Sequence, residues 1–198
     1  NLFTTPKFLS YLMPLVSINN LKRAISYFSH YLSAGNEHDV HSPFVYQLLT
    51  KGIYVKNEVP AFKKIEDIRK KLLSSHREID VTDLGAGSSF DGKLTRRTIS
   101  EITRKFAKSP MHCRFLYRLV SFLQPTVMIE LGTSLGISAM YQAEGNPSGK
   151  LFTLEGCPQT AMVAREIFDK NNFNKITCIT GNFNDTLPEL LNNMKPVD

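Results

Sequence analysis

The sequence predicts an α/β fold in which a parallel sheet follows a mainly helical N-terminal cap. Three observations carry that expectation. From Thr126 onward, apolar strands alternate with helix-length amphipathic segments, the pattern of right-handed crossovers in a parallel sheet. Each of these strands ends in a turn rich in glycine or acid: Gly132 to Gly136, then Glu155-Gly156, then Gly181-Asn182. Residues up to about Gln124 read instead as helices punctuated by proline and glycine, with one short strand. The expected organisation is a cap over 1–124 and a sheet domain over 125–198.

Composition narrows the classes. With 198 residues, 42% hydrophobic and 21% charged, the chain is an ordinary globular one, which excludes collagen-like, disordered and low-complexity proteins. Three cysteines without a CxxC pair argue against a disulfide framework or a zinc site and for a reducing, cytoplasmic location. The formal charge of +6 admits a nucleic-acid partner, but the basic residues are dispersed and no RNA-binding motif accompanies them. A nucleic-acid partner is therefore not expected. No window reaches the ~18 apolar residues of a membrane helix. Phe8 to Ile18 is apolar behind Lys7, yet Pro14 interrupts it and no small-residue cleavage site follows. It reads as a packing or disordered arm.

Along the cap, Ser42 and Pro43 form an N-cap and first-turn pair for a helix that Gly52 can close in a left-handed cap. A helix from Pro60 places Phe62, Ile65, Ile68, Leu72 and Leu73 on one face and Lys63, Lys64, Glu66, Arg69 and Lys70 elsewhere. Glu78 to Leu84 alternates as a strand and runs into Gly85-Ala86-Gly87-Ser88, a structural turn or a lid. Thr98 and Glu101 make a capping box. A last helix after Pro110 carries Cys113, Leu116, Leu119, Val120 and Leu123 before Pro125 stops it. The sheet domain then reads as strand 126–131, helix to Ala143, strand 150–155, helix from Pro158, strand 175–180 and helix from about Leu187 to Asn193.

The chemistry gathers at the carboxyl ends of the three strands, where open α/β sheets bind ligands. Glycines in Glu130-Leu131-Gly132-Thr133-Ser134-Leu135-Gly136 let a ligand approach the backbone. Glu155, 23 positions beyond Gly132, can accept from both hydroxyls of a ribose. Asn182 and Phe183 can flank an adenine, although Phe183 also suits a core position. A dinucleotide would want G-x-G-x-x-G and a helix end free of acid. Here the spacing is G-x-x-x-G behind Glu130, whose charge repels a pyrophosphate and suits an ammonium. S-adenosylmethionine fits this pattern better than NAD.

Val127 to Ser138 resembles motif I of the class I S-adenosylmethionine-dependent methyltransferases. Leu154 to Pro158 resembles their second motif and Gly181 to Pro188 their third. The catechol O-methyltransferase-like enzymes are the most similar group, and His41 to Tyr46 with Asp83 to Ser88 looks like an uncharacterised Bacteroidetes-type branch. The resemblance implies a Rossmann-like sheet, with Glu130, Gly132, Thr133, Ser134, Gly136 and Ser138 around the methionine end. It implies Glu155 on the ribose and Gly156, Asn182 and Phe183 along the adenine. It also implies a small-molecule methyl acceptor, oxygen as nucleophile, and a divalent metal held by residues beyond Asp198. No catalytic or metal residue is assigned within the chain. Pro196-Val197-Asp198 would lead into a fourth strand, so the expectation is a truncated chain lacking the C-terminal strands. Its open sheet edge admits a homodimer. Two rivals stand beside this reading: an RNA- or protein-directed methyltransferase, and a non-catalytic domain that binds a cofactor or partner.

Overall fold

The computed structural model describes residues 18–35, 41–56, 58–82 and 94–194. The arm before residue 18, the Asp83–Ser88 loop and Pro196–Asp198 lie outside them. The chain divides into two units, Asn1–Tyr46 and Gln47–Asp198. The first contains α1 (Ile18–Ser33) and most of α2 (Pro43–Gln47). Ser42 caps α2 as its position before proline predicts, accepting from Val45 N at 3.4 Å.

In the second unit a wide turn of π-helix, Leu48–Ile53, is closed by Tyr54 N donating to Leu49 O at 2.8 Å. Gly52 lies inside that turn and not in a left-handed cap, which corrects the expectation from sequence. Its role is close approach, since a Cβ there would sit 3.2 Å from the Phe122 side chain. Helix α3 (Pro60–Leu73) buries Phe62, Ile65, Ile68 and Leu72 as its periodicity requires. Arg69, which the pattern puts on the polar side, is also buried. It is stabilised there by Glu66 at 3.0 Å and by a contact to Cys113 Sγ at 3.6 Å. Tyr141 donates to the same Glu66 carboxylate at 2.9 Å, and burial followed by that bond pushes its hydroxyl pKa upward.

Strand β1 (Glu78–Thr82) pairs antiparallel with β2 (Leu94–Thr98), in register Glu78 opposite Thr98 and Thr82 opposite Leu94. The sequence reading contains one strand in this region, and β2 is the second. Its Leu-Thr-Arg-Arg-Thr run has no apolar alternation to reveal it, and the partner strand supplies the ladder. The capping box forms as predicted and opens α4 (Ile99–Phe106): Glu101 N donates to Thr98 Oγ1 and Thr98 N to Glu101 Oε2. Helix α5 (Pro110–Leu123) starts at the Ser109 cap and buries Cys113 and Val120.

Beyond it, β3 (Val127–Leu131), α6 (Ile137–Gly145), β4 (Lys150–Glu155), α7 (Pro158–Lys170), β5 (Ile176–Thr180) and α8 (Phe183–Asn192) alternate. The three strands form a parallel sheet in the order β3-β4-β5, with Leu131 opposite Leu154 and Glu155 opposite Thr180. Helix α6 is buried or half-buried all round, because it is covered by the sheet and by α3 and α5; Ala139, Met140 and Tyr141 have no exposed surface. One core runs from Phe62 on α3 to Ile176 on β5. The hairpin is tied to the sheet through Cys157, whose Sγ accepts from Thr82 N at 3.4 Å and faces Asp80 O at 3.7 Å. A bidentate Arg77–Glu166 pair at 2.7 and 3.0 Å links the hairpin's approach to α7.

Candidate functional site

The register of the parallel sheet brings the ends of β3, β4 and β5 level, so their three loops meet on one edge. The β3 loop turns at Gly132 (φ +94°) and re-enters a helix at Gly136 (φ +78°), with Ser134 also left-handed. Gly132 N and Thr133 N both donate to Leu154 O, at 2.9 and 3.1 Å, which pins the loop against β4. A Cβ on Gly132 would meet nothing within 4 Å, so the space above it is open. At Gly136 a Cβ would run into the Phe168 ring of α7, so glycine is required twice, for φ and for room.

Glu155 closes the arrangement. Its Oε2 accepts from Ser134 N at 2.8 Å and its Oε1 from Cys157 N at 3.0 Å, which holds the carboxylate across the β3 and β4 loops. The main-chain oxygen of Glu155 accepts from Gly181 N at 3.0 Å, joining the third loop to the second.

Glu130 lies further back. Its Oε1 accepts from Gln142 at 2.8 Å and its Oε2 from Thr153 Oγ1 at 2.8 Å. Thr153 spends its only hydroxyl proton on Glu130, so Thr133 Oγ1 donates to Thr153 across 2.7 Å. Burial pushes the Glu130 carboxyl above the usual range, and hydrogen bonds from Ser138, Thr153 and Gln142 oppose that shift. Glu130 thus ties together the β3 loop, β4 and α6.

Asn182, expected beside an adenine, is the N-cap of α8 and accepts from Asn184 N at 2.9 Å. Helix α8 therefore starts at Phe183, four residues before the expected Leu187, and Pro188 lies inside it. Phe183 is half-buried at the first helical position, and Gly156 is half-buried beside Glu155. A small cleft at the β3 loop is lined by Gly132, Thr133, Ser134 and Ser138 together with Phe106, Ala107 and Lys108. The sequence reading misses these last three. Phe106 ends α4, Ala107 and Lys108 begin the connection to α5, and their only signal is a short connection between two capped helices.

A family model described as O-methyltransferase matches residues 88–198, more than half of the chain. The chain belongs to this O-methyltransferase family. Within the matched span lie every strand of the parallel sheet and all three loops of the site. A catechol O-methyltransferase from Niastella koreensis is 35% identical over 85 residues, covering 42% of this chain and 38% of that protein. One from Mycobacterium tuberculosis is 31% identical over 114 residues, covering 57% and 51%. The chain thus spans about half or less of the length of these relatives. Among solved structures, an O-methyltransferase from Bacillus cereus in complex with SAH aligns with TM-score 0.47 and 20% identity over 78% of this chain and 56% of that one. Among the described residues no helix is long and apolar enough to cross a membrane.

Proposed function

We propose that this chain binds S-adenosylmethionine and belongs to an enzyme that methylates an oxygen of a small molecule in the cytoplasm. The observation that carries the reading is the Glu155 carboxylate, fixed by two main-chain N–H groups beside the open space at Gly132. A carboxylate so held is oriented in advance toward a ribose, which removes an ordering cost from binding. The residues fit the donor in charge as well: Glu130 and Glu155 favour a cationic ligand and disfavour a pyrophosphate.

When bound, S-adenosylmethionine supplies a sulfonium-activated methyl group. The chain's own part is positioning. Gly132, Thr133, Ser134 and Ser138 border the methionine end, and Gly136 gives the loop its turn. Glu130 acts behind them by holding Thr153, Gln142 and Ser138. Gly156, Asn182 and Phe183 border the base. Phe106, Ala107 and Lys108 cover the cleft from the helical side, which supports a cap role for residues before 125. Holding donor and acceptor in line accounts for much of the acceleration in such a transfer. The free state of Cys113, Cys157 and Cys178 supports a reducing compartment. Any metal that orients the acceptor is assigned to no residue here.

Calorimetric titration tests the reading. The chain is expected to bind S-adenosylmethionine one to one and to ignore NAD. Glu155→Ala should weaken binding by about tenfold or more, the worth of one charge-assisted hydrogen bond. A folded chain with no saturable affinity for S-adenosylmethionine overturns it.

A further inference from the structure

On the other side of α4 the hairpin and the helix enclose an open recess of about 450 Å³, lined by Thr95, Arg96, Arg97, Glu101, Arg104 and Lys105. Four cations and one carboxylate line it. That carboxylate is already engaged: Glu101 accepts from Thr98 N at 2.8 Å, and this bond holds it below the usual carboxylate range. Arg96 pairs with Glu78 at 2.7 Å, but its side chain is 74% exposed and the pair is worth little. Arg97 lies over the Phe106 ring at 5.2 Å. Arg104 and Lys105 have no ion pair among the described residues. Consecutive strand residues face opposite ways, so Arg97, over Phe106 of the helix, is on the helix side with Arg104 and Lys105 nearby, and Arg96 borders the recess from the strand's other face.

Guanidinium forks beside an ammonium are the chemistry that recognises phosphate. The recess and the cleft at the β3 loop lie at the same end of α4: Lys105 lines one and Phe106, the next residue, lines the other. We propose that the recess formed by Arg96, Arg97, Arg104 and Lys105 binds the phosphate group of a phosphorylated small-molecule acceptor. It rests on the methyltransferase reading for the word acceptor and on the recess alone for the word phosphate.

Inorganic pyrophosphate, titrated calorimetrically into the chain, tests it. Saturable binding is expected, weakened at least tenfold in Arg104→Gln/Lys105→Gln and unchanged in Arg77→Gln, a surface cation outside the recess. Circular dichroism checks that the double variant keeps its helices. Pyrophosphate should still bind when the chain is saturated with S-adenosylmethionine. No saturable binding, or equal binding by the double variant, overturns the site. Mutual exclusion of the two ligands overturns its place on the acceptor side. Binding of a short RNA at least tenfold tighter than pyrophosphate, and lost in the double variant, assigns the recess to nucleic acid instead. Failure to bind S-adenosylmethionine with pyrophosphate binding intact sinks the donor reading and leaves the phosphate site standing.

Discussion

The edge of the parallel sheet and the β1–β2 hairpin handle charge in opposite ways. At the sheet edge, Glu130 and Glu155 are fixed by named donors, and the fixing is done by main-chain N–H groups, threonines and Gln142. Around the hairpin, Arg96, Arg104 and Lys105 stand exposed, with ion pairs that are solvent-facing or absent among the described residues. A fixed carboxylate is a preorganised acceptor. A cluster of exposed cations waits for its counter-charge to arrive. The difference teaches that geometry stores information at one end of the molecule and charge at the other.

The sheet edge breaks most easily at Gly136. A valine there meets both a positive φ and Phe168, and should lower stability by roughly 3 kcal/mol or more, read as a drop in urea midpoint. If Gly136→Ala costs less than about 1 kcal/mol, the interlock with Phe168 is not what fixes the loop.

Glu130 gives the next effect. Its pKa in the folded chain lies above the unfolded value, so its contribution to stability is complete in acid and fades as pH rises through the folded value. Glu130→Gln has no such titration. In the ligand-free chain, the stability of the wild type relative to Glu130→Gln should therefore fall as pH rises from 4.5 toward neutrality. A difference that is flat across that range would mean the carboxyl is not buried as described.

On the hairpin side the effects shrink. Thr98→Ala removes half of the capping box and should cost about 1 kcal/mol, with the loss seen in the amide exchange of α4. Arg77→Gln breaks an ion pair whose side chains are 44% and 35% exposed, so it should cost under about 1 kcal/mol and less in high salt. A larger loss at either position than at Gly136 would reverse the ranking of the two regions.

What was legible in the sequence follows the same division. Strands β3, β4 and β5 are short apolar runs with glycine at their ends, and buried parallel strands must read that way. The capping box in Thr98 and Glu101 is a local, two-residue signal and survived intact. Strand β2 was hidden because its stability comes from pairing with β1, a contact that no local window contains. Arg69 falls on the polar side of the periodicity, which counts apolar side chains and contains no sign of Glu66 and Cys113 as partners for a guanidinium. Gly52 reads in sequence as a left-handed cap, whereas its use is the space it leaves for Phe122. In the candidate site, the meeting of Glu155 with the Gly132–Gly136 loop follows from their spacing on neighbouring strands, whereas Phe106 to Lys108 reach the cleft by tertiary packing alone.

The three thiols form a depth gauge. Cys178 is half-buried on the last strand, Cys157 is 2% exposed beneath the hairpin, and Cys113 is sealed in the core. A thiol reagent added to the native chain reaches Cys178 first. It reaches Cys157 only when the contacts to Thr82 and Asp80 open, and Cys113 only when α5 leaves its neighbours. The labelling rates at the three sulfurs thus separate fraying of the sheet edge, undocking of the hairpin and opening of the helical layer in a single sample, without any substitution.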